Sequence, residues 1–175
     1  MRFTATALPD AFLVEPKAHE DIRGLFARTF CAREFQDQGL TSAFVQCNTS
    51  WNVRKGTVRG MHYQLAPASE VKLVRCTSGA LWDVIVDLRP DSPTYLQHFG
   101  VELTSTNRRA LYIPQMFAHG FQTLEDGTEV FYQMSEFYAP ELAQGLHYSD
   151  PKLAIKWPLR VVCVSEKDQA WAWFP

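Results

Sequence analysis

Val71-Lys72-Leu73-Val74-Arg75-Cys76-Thr77 and, beyond Gly79, Leu81-Trp82-Asp83-Val84-Ile85-Val86-Asp87-Leu88 decide the fold class. Both runs have strand length, both are rich in β-branched or aromatic residues, and the glycine between them marks a turn. Outward from this pair the same signature recurs at Ala43–Ser50, Thr57–Gln64, Phe99–Thr104, Arg109–Ile113, Gly120–Leu124 and Glu129–Tyr138. Pro90, Pro93, Asn107, Pro114 and Gly127 fall between the runs. Strand centres about 10–15 residues apart, separated by turn residues, are the pattern of an all-β sandwich or barrel. Two short helices are expected at the periphery. One spans Arg28–Gln38 and is ended by Gly39; the other opens at Ser165, where Ser165-Glu166-Lys167-Asp168 has the form of a capping box. The expected fold is a single all-β domain over residues 1–175, a sandwich curled into a jelly-roll barrel.

The chain has 175 residues, a formal charge of −2, 46% hydrophobic and 21% charged residues. Those values describe an ordinary folded domain and exclude a disordered chain. No apolar run approaches the ~18 residues of a membrane-spanning helix, and Met1-Arg2-Phe3-Thr4 lacks the apolar core of a signal peptide. The near-neutral charge argues against a nucleic-acid partner. Neither a membrane nor a nucleic acid is therefore expected to bind. Cys31, Cys47, Cys76 and Cys163 form no C-x-x-C pair and read as reduced thiols of a cytoplasmic protein. Cys47 and Cys76, inside strand-like runs, are expected as small buried hydrophobes.

A barrel turns every second side chain inward. Gln46, Asn48 and Ser50 share one polar face, and Lys72, Val74 and Cys76 share another. The pattern alone fits two arrangements of the Gln46 strand, an ordinary outer surface or the lining of a wet pocket at the barrel mouth. His62, in Val58-Arg59-Gly60-Met61-His62-Tyr63-Gln64, and His119, in Ile113-Pro114-Gln115-Met116-Phe117-Ala118-His119-Gly120-Phe121, stand in two blocks that resemble those of cupin barrels. In metal-binding cupins the first block carries His-x-His and a Glu, and the second a further His. Gln64 takes the place of the second His here. Two imidazoles fall short of the three or four ligands a metal needs, so no bound metal is expected. His19, His98 and His147 lie in polar, loop-like contexts and are expected at the surface.

Six blocks in register carry a more specific resemblance: Thr57 to Gln64, Lys72-Leu73-Val74-Arg75, Asp83 to Arg89 followed by Ser92-Pro93-Thr94, Ile113-Pro114 to Phe121, Trp157-Pro158, and Ser165 to Asp168. Together they resemble the dTDP-4-dehydrorhamnose 3,5-epimerase family over nearly the whole chain. The resemblance implies a cupin-type double-stranded β-helix and a substrate that is a nucleotide-diphospho-4-keto-6-deoxyhexose. In such a sugar the C4 ketone acidifies the hydrogens on C3 and C5. A base removes one to give an enolate, and an acid on the opposite face returns a proton and inverts the centre. No cofactor is required. By resemblance His62 is the base, Asp168 its orienter, Lys72 the cation beside the C4 oxygen, and Tyr132 the acid. A phenol is a weak acid, and Lys72 is expected to lower its pKa. Arg59 matches a phosphate-binding position. Gln46, Asn48, Lys167 and His119 match further substrate contacts. Tyr138 falls on the same strand face as Tyr132 if the strand continues regularly, placed either to stack on the base or sugar or simply to pack. Arg59 and His62 differ in parity, and Gly60 permits a bulge that brings both to one side. Arg23 matches a residue that reaches the partner subunit's site, which implies a homodimer with an exchanged N-terminal segment.

Two positions depart from the family pattern. Arg28 stands where the family usually has Glu, and Ala143 where it usually has a second Glu. Both belong to the substrate-contact set, so the proton-transfer machinery is expected to be kept and recognition of the nucleotide or sugar to be altered. A non-catalytic nucleotide-sugar-binding barrel keeps such a pocket but has no use for the acid–base set. A sugar 3,4-ketoisomerase shares the enolisation logic and fits the Arg59–His62 and Ser165–Asp168 blocks less well. Whether one or both centres are inverted is not legible in these residues.

Overall fold

The computed structural model describes residues 1–174. Thirteen strands and two short helices follow one another as β1 (Arg2–Ala5), β2 (Phe12–Glu15), β3 (Ala18–Asp21), β4 (Gly24–Ala27), α1 (Ala32–Asp37), β5 (Gln46–Asn52), β6 (Val58–Gln64), β7 (Lys72–Ser78), β8 (Ala80–Asp87), β9 (His98–Thr104), β10 (Ala110–Ile113), β11 (Phe117–Thr123), β12 (Thr128–Met134), β13 (Ala143–Gly145) and α2 (Glu166–Gln169). Six strands in the order β1-β2-β10-β7-β12-β5 form one sheet and five in the order β13-β6-β11-β8-β9 form the other. All pairings within them are antiparallel. This is the expected all-β jelly roll, with the helices outside. Among the described residues no helix is long and apolar enough to cross a membrane.

Alternation along the strands assigns three apolar layers. Val74 and Cys76 of β7, Leu81 and Ile85 of β8, Phe121 of β11 and Val130 of β12 meet between the sheets. The opposite faces of β8 and β11 send Val84, Val86 and Ala118 outward beneath the segment carrying Leu146, Leu153 and Trp157. Leu73 and Tyr112 form a third layer with Phe35 of α1 on the outside of the six-stranded sheet. Cys76 is buried as expected, and burial pushes its thiol up to about 11. Cys47 departs from expectation and is exposed. It alternates with Gln46 and Asn48, and because those two face the interior, it faces solvent.

Helix α1 is shorter than expected. Residues 28–31 are not helical, because Phe30 packs on the rings of Phe35 and Phe44. Gly39 ends the segment in a left-handed conformation. The second helix begins as expected, with the Ser165 hydroxyl accepting from the Asp168 N–H at 3.1 Å. Strand β12 stops at Met134, four residues short of Tyr138, where Ser135 turns the chain and its hydroxyl accepts from Val71 N–H. β3 and β4 pair only with each other, in a hairpin whose turn residue Ile22 is fully exposed and whose Phe26 is 74% exposed.

Asp87, at the end of β8, anchors the rim. Its fully buried carboxylate accepts from the Arg89 guanidinium and from the hydroxyls of Ser92 and Thr94. Arg89 extends the tie to Asp10. Burial pushes this carboxyl up, but the donors from Arg89, Ser92 and Thr94 outweigh it and hold the group well below the usual carboxylate range. A lowered folded pKa contributes stability that is present above the ordinary carboxylate value and lost only as pH falls towards the folded one. Asp87→Ala leaves the Arg89 cation without its main partner and is expected to cost about 3–5 kcal/mol at neutral pH. Urea unfolding reads that difference, which should persist to mildly acidic pH and narrow only below the ordinary carboxylate range. A loss under about 1 kcal/mol, in the range of a surface pair, would contradict it.

Candidate active site

A cavity of about 680 Å³ opens between the sheets at the side where β5 and β12 of one face β6 and β13 of the other. The inward face of β7 explains where the core gives way to it. Val74 and Cys76 join the apolar core, whereas Lys72, next on the same face, lines the cavity and is 6% exposed. Gln46, Asn48 and Ser50 point inward along β5 and continue the same wall two strands away, so of the two arrangements this polar face allowed, the pocket is the one adopted.

A bulge at Gly60 joins Arg59 and His62 on one face. His119 of β11 pairs with His62 and Phe121 pairs with Arg59, so three steps along β6 oppose two along β11. Gly60 takes a φ of +124°. A Cβ there would lie 2.5 Å from Gly120 Cα, so the two strands approach as closely as two glycines permit. Both Arg59 and His62 line the cavity.

His62 Nε2 lies 2.6 Å from Asp168 Oδ1. Asp168 also accepts from Gly60 N–H. The capping box is thus half used: Ser165 caps the helix, but the Asp168 carboxylate turns into the barrel instead of back to the cap. Burial pushes the Asp168 carboxyl up, and the hydrogen bond and charge of His62, with Gly60 N–H and the Ser165 contact, bring it below its ordinary value. An ionised carboxylate only accepts, so the Nε2 facing it carries a proton, and in the neutral imidazole Nδ1 is the basic nitrogen.

Tyr132 stands on β12 in the opposite sheet, between the apolar core and the cavity. Burial raises its phenol above the ordinary value, opposed by the charge of Arg59. This corrects the expectation of a phenol acidified by Lys72. The lysine is held elsewhere: its Nζ lies 2.5 Å from Glu70 Oε1 and donates to the His62 carbonyl at 3.3 Å. His119 is paired too, with its Nε2 2.7 Å from Oδ1 of the fully buried Asp83. The buried Lys72 and His119 and the half-exposed His62 therefore each have their own carboxylate. At the more exposed positions the pattern reverses. Arg59 bonds to the Asn52 amide oxygen, and Lys167 lies over the Trp171 ring. Neither makes an ion pair with a carboxylate among the described residues, so their charge is left for an anionic ligand.

Ten of the twelve expected site residues line this one cavity: His62, Tyr132, Asp168, Lys72, Gln46, Asn48, Arg59, His119, Tyr138 and Lys167. Tyr138 arrives by a different route from the one expected. The strand has ended, and its backbone N–H is fixed to the Gln46 side-chain oxygen. Arg23 and Arg28 are not brought to the cavity of their own chain. Arg23 pairs with Asp21 in the exposed hairpin, and Arg28 pairs with Glu34. Ala143 lines the cavity with no polar group to offer. Gln64 is a scaffold residue, bonded to the backbone of Ala68, Phe137 and Ala139. His19 and His98 are exposed and His147 stacks on Tyr148 and Trp173, all outside the cavity. Sequence reasoning missed Glu70, Asp83 and Trp171. For Asp83 a signal existed, since an acid at inward parity in an apolar strand needs a partner. Glu70 precedes β7 in a loop, and no periodicity marks it.

A jelly-roll barrel that sets a carboxylate-paired imidazole across from a half-buried phenol, with an ammonium in the same cavity, has the groups an acid–base isomerase needs. Residues 5–175 match the family model described as dTDP-4-dehydrorhamnose 3,5-epimerase. The enzyme of that name from Methanothermobacter thermautotrophicus is 44% identical over 97% of this chain and 92% of its own. The Bacillus anthracis enzyme, solved with TDP and pyrophosphate bound, superposes with a TM-score of 0.96 at 39% identity, covering 99% of each chain. The Legionella pneumophila 3,5-epimerase, solved with dTDP-4-keto-L-rhamnose, gives 0.91 at 40% identity over 97% of this chain and 90% of that one. The chain belongs to the dTDP-4-dehydrorhamnose 3,5-epimerase family.

The opposed effects on Tyr132 are measurable. Near-ultraviolet difference absorbance between the protein and Tyr132→Phe should put ionisation of this phenol above the ordinary tyrosine value. Arg59→Gln should move it higher still. A midpoint at or below the ordinary value contradicts the description of the site.

Proposed function

We propose that the protein inverts both C3 and C5 of a dTDP-4-keto-6-deoxyhexose through enolate intermediates. The observation that carries the reading is the pairing of His62 with an ionised Asp168 across the cavity from Tyr132. His62 Nδ1 takes the proton from the carbon beside the ketone. The Lys72 ammonium balances the charge that develops on the C4 oxygen. Tyr132, kept protonated by its raised pKa, returns a proton to the opposite face, and the Arg59 charge steadies the tyrosinate left behind. His119, oriented by Asp83, contacts the sugar; Arg59 and Lys167 take the diphosphate; Gln46, Asn48 and Tyr138 hold the remainder. Thymidine as the base, and inversion at two centres, are supported by the names and bound ligands of relatives that share about two-fifths of their residues with this chain. Free cysteines throughout the described residues agree with a reducing cytoplasm.

The working unit is a homodimer in which the β3–β4 hairpin lies across the partner's cavity and delivers Arg23 and Arg28. What supports this is the hairpin itself, which carries exposed Ile22 and Phe26 and bonds to neither main sheet.

His62→Ala and Tyr132→Phe are expected to lower kcat by about 10²–10⁴-fold while dTDP binding stays within about threefold of the parent. Turnover on dTDP-4-keto-6-deoxyglucose in D₂O, followed by NMR, reads both the rate and deuterium entry at C3 and C5. Full turnover by His62→Ala removes the mechanism, exchange at one carbon only removes double inversion, and tighter binding of CDP or GDP than of dTDP removes the nucleotide. In sedimentation velocity the parent should run as a dimer. Ile22→Asp combined with Phe26→Asp should give monomers of reduced activity, and fully active monomers exclude the exchanged arm.

A further inference from the structure

Glu70 is a buried acid that the reaction as described does not use. It is 6% exposed, lines the cavity, and has one oxygen 2.5 Å from Lys72 Nζ. Its second oxygen, Oε2, has no hydrogen-bond partner among the described residues. Three contacts fix the short segment that carries it. Val71 N–H donates to the Ser135 hydroxyl, Gln115 donates to the Ser69 carbonyl, and Met116 N–H donates to the Ser69 hydroxyl.

An ammonium has three donors on a stem with four rotatable carbons, and in a cavity wall its direction is set by whatever holds it. At Lys72 one N–H goes to Glu70 and a second to the backbone carbonyl of His62. With two of the three directions taken by rigid groups, the third N–H is left for the cavity. The carbonyl that takes the second bond belongs to the residue whose imidazole pairs with Asp168. We propose that Glu70 is a positioning residue. Its carboxylate holds the Lys72 ammonium against the His62 backbone so that the remaining N–H points at the ketone oxygen while the imidazole works on the adjacent carbon. The inference rests on the role of Lys72 given above.

Four variants test it: Glu70→Gln, Glu70→Met, Lys72→Met and the double variant. Glu70→Gln keeps an acceptor in place, whereas Glu70→Met keeps the volume and removes both oxygens. Glu70→Met should lower kcat about 10–100-fold with KM within about threefold, the pattern of a misaimed group rather than a lost binding contact. Glu70→Gln should recover most of the rate. The double variant should be no slower than Lys72→Met alone, because Glu70 acts only through the lysine. That comparison also stands if Glu70→Met by itself fails to fold, since an apolar pair in place of a buried ion pair is tolerated. A double variant more than about threefold slower than Lys72→Met, or a Glu70→Gln as slow as Glu70→Met, overturns the proposal. If Lys72→Met is slow and Glu70→Met keeps the parent rate, only the role of Glu70 falls. If Lys72→Met turns over like the parent, the assignment of the lysine falls first.

Discussion

Gly60 and Gly120 lie against each other across two neighbouring strands, and a side chain at either would press into the other strand within 2.5–2.6 Å. That contact is what lets β6 carry one more residue than β11 without parting from it. Without the extra residue, alternation would send either Arg59 or His62 to the outside. With it, the Arg59 guanidinium and the His62 imidazole share a wall, and the N–H of Gly60 turns to meet Asp168. The lining on the opposite wall needs no such device, because Gln46, Asn48 and Ser50 follow ordinary strand alternation.

Burying so many ionisable groups in one cavity is costly unless each is matched. Asp168 with His62, Asp83 with His119, and Glu70 with Lys72 are three such matches, each between a carboxylate and a nitrogen base. The pairs hold their bases in fixed directions, those of Lys72 and His119 buried and that of His62 half-exposed, while Arg59 and Lys167 keep charge that no carboxylate of the described residues pairs. A ligand with an anionic middle and a neutral ring at one end fits this division.

Much of this was legible in residue order. The central strands follow from β-branched runs punctuated by Gly and Pro, and the bulge from a glycine set between two side chains that needed a common face. The family resemblance pointed to His62, Asp168, Lys72 and Tyr132, all of which line the one cavity. What escaped was set by tertiary context. β1 to β4 and β13 are only three or four residues long, too short for a periodic signal. Cys47 looked apolar by neighbourhood but sits out of phase with the polar side chains that turn inward. The phenol is not acidified by Lys72 because that ammonium, on the neighbouring strand, is committed to Glu70, which lies outside any strand. Asp168 had two readings, helix cap and orienter, and the structure divides them between backbone and side chain of one residue.

The carboxylate of α2 stands 106 positions beyond the imidazole it serves. Every strand of both sheets is complete before that residue is reached. In order of synthesis the carboxylate that pairs with His62 therefore comes after every strand of the barrel. A chain cut short before α2 would keep every strand of both sheets and lose the carboxylate partner of His62.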